Sequence, residues 1–492
     1  MSGADTKINT TVNHNKNDKN NQNQNNQKSQ NRKDQKITKE FFKFVIPSVI
    51  SMVVSSLYVI VDGIFVGRGV GETALAAVNI VYPFNMLQIA LTMLIAIGGA
   101  NYFSQYMGKG KKEAANNFFL QSMIILIIIS TLLNILVLAF PIQAATILGA
   151  DAELLPLVVP YMKWIAFFGV IYMTGIGFSI FVRNDNAPKL AMIGTLTGAV
   201  LNIILDYVFI MEFGWGISGA AIATGIGESI AALVFLSFFL KKDRNIRIQM
   251  PRFKLEDLKK ITFSGFPSFL MEFSQSAVAF SFNLTILAYI GTTGITAYSI
   301  VMYICSIFNM VLIGIVQGSQ PLLSFNYGSE NPENVQKVYK LGLWSNLIST
   351  AVFYAGVFLF GTHMASIFLP GNSEMIQMSA EMMRFYMLGF FPVGISLMNI
   401  LYFQVTEREA RSTLISFLRC IGFVQLFLFI LPGTFGIYGI YMSFLCGELC
   451  NCVISELLYQ NSRRKEKRKG QKVSIGLNLD HKSDFKSSGG FS

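Results

Sequence analysis

Two aspartates stand where carboxylates are expensive. Asp62 lies in VIVDGIFVG and Asp206 in LNIILDYVFI, each inside a long apolar run. An ionised carboxylate at the centre of a membrane helix costs roughly 2.5–3.5 kcal/mol on insertion scales, so each needs a reason to be there. Asn202 precedes Asp206 by four residues, which puts both on one helical face. Thr224 follows in the next apolar run. Carboxylate, amide and hydroxyl oxygens are hard donors that suit Na⁺, and paired aspartates suit a proton; the residue types do not choose between the two. Close carboxylates in a low dielectric repel each other and lose solvation, and a captured cation relieves both costs. Its binding would change the charge of the site.

This chemistry requires that the segments cross a membrane. The chain has 492 residues, 52% hydrophobic and 14% charged, against about 25% charged in soluble domains. The charges crowd into residues 1–43, 241–260 and 461–486. Between them lie runs such as Phe118–Phe140 that reach the ~20 residues needed to span a bilayer. These runs are too long for barrel strands, so the fold class is an all-α polytopic membrane protein. Twelve helices are expected, at about 41–66, 76–106, 116–140, 157–182, 188–211 and 217–240, then 262–290, 296–326, 336–360, 377–404, 411–431 and 436–459.

Lys and Arg set the orientation. One set of loops holds Lys109, Lys111, Lys112, Arg183, Lys189, Lys337, Lys340, Arg408 and Arg411, together with the linker KKDRNIRIQMPRFKLEDLKK. The opposite loops hold mainly Arg68 and acids such as Glu72, Asp151 and Glu374. Both termini and the linker are therefore expected in the cytoplasm. The chain divides into a disordered polar tail at 1–40, a first lobe of six spans at 41–240, a cytoplasmic linker at 241–261, a second lobe of six spans at 262–459 and a basic tail at 460–492. The net charge of +11 flanks apolar segments and accompanies no nucleic-acid motif, so nucleic acid is excluded as a partner. Cys305, Cys420, Cys446, Cys450 and Cys452 all fall in apolar segments and read as buried free thiols, not a disulfide framework or metal site. His14, His363 and His481 lie in tails or an outer loop. With no nucleophile or metal set, an enzyme is not expected, nor a cofactor.

The halves are copies. Pro47 matches Pro267, and the same offset of 220 residues pairs Gly98 with Gly318, Gly108 with Gly328, Gly216-Ile217 with Gly436-Ile437 and Gly227-Glu228 with Gly447-Glu448. Two six-helix bundles that both enter from the cytoplasm form a parallel repeat, related by a pseudo-two-fold axis along the membrane normal. Secondary transporters are often built so, with the substrate between the halves.

Depth groups the polar residues. Asp62 and Asp206 each sit five residues short of the outer end of their helix, and Thr224 seven residues into the inward-running sixth helix. All three lie about 7–11 Å below the outer helix ends. At the 220 offset Asp62 becomes Phe282 and Asp206 becomes Leu426, which argues for a specialised site in one lobe. The competing reading is a polar pair buried for helix packing, or a snorkelling carboxylate. Glu272, mid-membrane on the seventh helix, is a candidate second ion or cationic-substrate site, with a structural hydrogen bond as its rival. Glu228 and Glu448, retained in both halves, read as packing residues.

The stretches VDGIFVGRGVGETALAAVN (61–79), LNIILDYVFI (201–210) and GWGISGAAIATGIGE (214–228), with the two six-helix halves, resemble the multidrug and toxic compound extrusion (MATE) family, DinF-like branch, over residues 41–459. The resemblance implies a V-shaped exporter of the plasma membrane that couples inward H⁺ or Na⁺ movement to efflux of organic, often cationic, compounds. It further implies a cation site at Asp62, Asn202, Asp206 and Thr224. Another branch of the family uses a Glu on helix 7, which Glu272 matches, and an Asp on helix 10, for which EMMRFYMLGFFPVGISLMNILYFQ offers no mid-membrane counterpart. Small organic compounds, H⁺ or Na⁺ and the bilayer are the expected partners, and a monomer the expected state. A flippase of lipid or lipid-linked precursors is the alternative function on the same two-lobe plan; it predicts cationic residues in the cleft.

Overall fold

A computed structural model describes residues 4–487 apart from 243, 248, 249, 251 and 369–371, with side chains described over 31–466 apart from these and residue 276. Every regular element is helical among the described residues. The first lobe holds α1 (Ala4–Gly69), α2 (Glu72–Gly108), α3 (Lys112–Ala139), the short α4 (Pro141–Ile147), α5 (Leu155–Asn184), α6 (Pro188–Asp206) and α7 (Gly216–Leu236). The second holds α8 (Leu255–Tyr289), α9 (Thr292–Gly328), α10 (Pro332–Phe368), α11 (Ser373–Leu388), α12 (Phe390–Val405), α13 (Glu409–Phe417), α14 (Phe423–Phe435) and α15 (Ile437–Ser487). Proline opens α4, α5, α6 and α10, where its missing N–H has no partner to lose.

Eleven spans among the described residues are long and apolar enough to cross a membrane, one fewer than the twelve expected. The exception is α8. Its 35 residues suffice in length, but Glu272, Ser274 and Gln275 interrupt its apolar run. The tenth span is built from α11 and α12, which meet at Gly389. The tails expected to be disordered continue the helices they adjoin, as the start of α1 and the end of α15.

The 220-residue repeat is visible in the backbone. Gly216 and Gly436, repeat mates that open the last helix of each lobe, both take the left-handed conformation, with φ of 58° and 57°. Only glycine adopts this without strain. The lobes also meet pseudo-symmetrically: Gly98 of α2 lies against Ile261 and Gly265 of α8, while its mate Gly318 of α9 lies against Val45 of α1.

Around these contacts runs a polar seal. Asn101 donates to Ser264 Oγ (3.0 Å) and accepts from Gln320 (2.7 Å). Arg183 donates to Gln317 (2.7 Å), Asn184 to Gln320 (3.0 Å) and Gln105 to the Val405 carbonyl (2.9 Å). Each hydrogen bond that joins the lobes among the described residues lies at this end, where the tails and linker emerge. The linker itself is pinned there: Asp185 accepts from the Asn245 and Ile246 amides at 2.8 and 2.9 Å. The lobes are thus closed at the tail end. A Cβ on Gly265 would lie 1.7 Å from the Leu94 carbonyl oxygen, and backbone cannot yield as a side chain can. Gly265→Val is therefore expected to spread the seal by on the order of 1–2 Å and to stop transport. Spin labels at Lys111 and Lys340 would read this as a lengthened distance.

Candidate functional site

Glycine brings the site helices together. In α6 and α7 a Cβ on Gly198 would lie 2.9 Å from the Gly227 carbonyl oxygen, and one on Gly227 would lie 2.8 Å from that of Gly198. Such close backbone approach through small residues is the usual device of membrane helix packing. One turn beyond Gly198, Asn202 Nδ2 donates to Thr224 Oγ1 at 3.3 Å. Asp206 closes α6, and the next turn, Tyr207–Glu212, is a π-helix. Such π segments often occur at functional sites, because the extra residue re-aims the side chains around it.

Asp206 is fully buried and Asn202 nearly so, while Asp62 and Thr224 are partly buried. The carboxyl groups of Asp62 on α1 and Asp206 on α6 stand within electrostatic reach of each other. Tyr161 of α5 stands within electrostatic reach of both. Asp62 Oδ1, Asn202 Oδ1 and both carboxylate oxygens of Asp206 are buried without a hydrogen-bond partner. No basic side chain pairs with either aspartate among the described residues. The structure thus relates Asp62 to Asp206 and Asn202 to Thr224, with Asn202 and Asp206 one turn apart on α6.

Buried polar atoms are almost always satisfied, so four orphaned oxygens on the neighbouring helices α1 and α6 call for an explanation. A small hard cation or a proton meets that need with these donors. The described residues hold no group of three or more His, Cys, Asp or Glu fit for a resident metal. In the second lobe both mates are apolar: Leu426, the mate of Asp206, is exposed. Phe282, the mate of Asp62, is buried and stacks on Tyr298 with ring centroids 5.3 Å apart.

Glu272 lies outside this cage. Its polar neighbours are Tyr82 of α2 and Tyr172 of α5, across the boundary between the lobes. Two further pairs escaped the sequence reading. Tyr58 donates to Glu228 (3.1 Å), and Arg419 Nε pairs with Glu448 Oε1 (2.8 Å). The first could have been found from spacing, since Tyr58 is four residues before Asp62 and Glu228 four after Thr224. For the second, the signal was an arginine inside the apolar run ISFLRCIGFV.

The MatE family model matches residues 47–208 and again residues 267–430, two copies whose starts lie 220 residues apart. The multidrug export protein MepA of Staphylococcus saprophyticus is 27% identical over 427 residues, covering 86% of this chain and 93% of that protein. MepA of Staphylococcus aureus MRSA252 is 27% identical over 428 residues, covering 86% and 94%. Among solved structures, the outward-facing conformation of a multidrug resistance MATE family transporter of the MOP superfamily superimposes with a TM-score of 0.81 at 25% identity, covering 88% of this chain and 97% of that one. A MOP superfamily transporter of Pyrococcus furiosus, described as having a binding pocket of reversed polarity, shares the fold with a TM-score of 0.81 at 24% identity over 87% and 96%.

Proposed function

Because the chain belongs to the MatE family, we propose that it is a secondary active multidrug exporter of the cell membrane, driven by inward movement of H⁺ or Na⁺ through Asp62, Asn202, Asp206 and Thr224. The observation that carries this reading is the buried, uncompensated carboxylate pair with its four orphaned oxygens, present in one lobe and replaced by hydrocarbon in the other. An unpaired acid pair is unstable until it captures a cation. Capture changes the charge of a site to which α1, α6 and α7 all contribute, and so shifts the balance between states that arrange these helices differently.

With the basic loops and both tails in the cytoplasm, the tail-end seal makes this the outward-open state. The ion then enters from outside, the first lobe rearranges, and the organic compound is released from the cleft between lobes. The residue set at the cage supports placement in the DinF-like branch. A flippase would need basic side chains to meet phosphate, whereas the groups near the cage are the acids Glu228 and Glu272 and tyrosines, and Arg183, a basic side chain between the lobes, is engaged with Gln317 in the tail-end seal.

The test is efflux of a fluorescent organic cation from vesicles with Na⁺ and pH gradients imposed one at a time. At least one inward ion gradient should drive efflux several-fold above the leak. Efflux indifferent to both gradients would sink the reading.

A further inference from the structure

One turn below the cage, the first lobe holds a second acid that the coupling mechanism does not use. Tyr58 precedes Asp62 by four residues on α1, and Glu228 follows Thr224 by four on α7. Both therefore share the helical faces of the cage residues, about 6 Å deeper. They meet there, Tyr58 Oη donating to Glu228 Oε1 at 3.1 Å. Tyr172 is next. It lies eleven residues beyond Tyr161, three turns along the same face of α5, and within electrostatic reach of both Glu228 and Glu272. Tyr82, beside Glu272, is 48% exposed. Beyond the Tyr58–Glu228 hydrogen bond, polar groups thus recur within electrostatic reach of one another from Glu228 towards Glu272.

The repeat supplies an internal control. Glu448, the mate of Glu228, is 1% exposed and permanently neutralised by Arg419 at 2.8 Å. The mate of Arg419 in the first lobe is Ala199. Glu228 has no basic partner among the described residues, and it remains partly accessible. A packing role alone would be served equally well by the neutralised arrangement in both lobes. The lobe that carries the cage instead keeps its acid reachable and without a cation.

We propose that Glu228 is the carboxylate that receives the positive charge of the transported organic cation, against the ring of Tyr172. This deepens the exporter reading and rests on it. An ammonium, phosphonium or delocalised aromatic cation meets a carboxylate on one side and an aromatic face on the other, each favourable in a site screened from water. Tyr58, within electrostatic reach of Asp62 as well, places the substrate charge and the coupling charge on one connected path.

The test compares the purified full-length protein with Glu228→Gln, Tyr172→Leu and Asp206→Asn, using tetraphenylphosphonium and its uncharged analogue triphenylphosphine oxide. Glutamine keeps the size of the side chain and an acceptor for Tyr58, so a mere packing bond would survive. Glu228→Gln should weaken tetraphenylphosphonium binding roughly ten- to hundred-fold and leave the uncharged analogue and the unfolding temperature nearly unchanged. Tyr172→Leu should show the same charge preference at several-fold. Asp206→Asn should still bind the cation while losing ion-driven efflux. Parent-like binding in Glu228→Gln, or equal losses for both probes, overturns the role of Glu228 and leaves the coupling site standing if Asp206→Asn is still uncoupled. Failure of the parent protein to bind or export tetraphenylphosphonium overturns this assignment and the exporter reading together.

Discussion

Replacing Asp206 by asparagine is expected to abolish ion-driven efflux, by roughly 100-fold or more, about 2.7 kcal/mol, while leaving the protein folded. Both carboxylate oxygens of Asp206 are buried without partners, so the charged side chain weakens this fold instead of supporting it. Asparagine has nearly the same shape, and its neutrality removes the penalty. The unfolding temperature should therefore hold or rise even as coupling disappears. Stability and function moving in opposite directions is the signature of a residue kept for its charge. Asp62→Asn should behave alike, because either substitution breaks the same two-carboxylate site. The double variant should be no worse than either single one, as expected of residues that act as a unit. Ion-driven efflux in vesicles together with thermal unfolding of the purified variants would check all three. Undiminished efflux by Asp206→Asn would remove the basis of the coupling site.

The parts readable from sequence were those in which one residue contrasts with its neighbours. A carboxylate in LNIILDYVFI stands out because nothing near it is polar. Counting residues from the helix ends then grouped Asp62, Asp206 and Thr224, because an α-helix converts sequence separation into depth at a fixed rise. The seal between the lobes could not be read this way. Asn101, Gln105, Gln317 and Gln320 are unremarkable as types, and their meaning lies in partners more than a hundred residues away. Glu228 lay between these cases. Its retention in both halves suggested packing, and only its partners, tyrosine in one lobe and arginine in the other, show that the two copies live in different environments. Arg419 stands in the apolar run ISFLRCIGFV, but nothing in its sequence surroundings points to Glu448, twenty-nine residues on. In the structure it follows α13, within the π segment Leu418–Gly422, whose altered winding surrounds it as it faces α15.

That pair supports the second prediction, on stability. The side chains of Arg419 and Glu448 are only 12% and 2% exposed. A buried ion pair contributes little against a well-packed apolar substitute, because desolvation offsets most of the attraction. Removing one partner is different, since the other charge is left stranded where neither water nor a counter-ion reaches it. Glu448 Oε2 already lacks a hydrogen-bond partner, so Arg419 is its principal stabilising contact. Arg419→Met should therefore destabilise the second lobe by about 3–5 kcal/mol, read as a marked fall in unfolding temperature in detergent. Glu448→Gln should be milder, because the arginine retains an acceptor and part of its exposure. The double substitution Arg419→Met with Glu448→Gln should recover most of the loss, which would separate a stranded charge from lost arginine packing. Efflux per folded molecule should stay close to that of the parent in the rescued variant, because the pair lies in the lobe whose cage position is occupied by Phe282. An Arg419→Met protein as stable as the parent would show that the membrane interior tolerates a lone glutamate there. It would also remove the contrast with Glu228 on which the assignment of the substrate's charge partner depends.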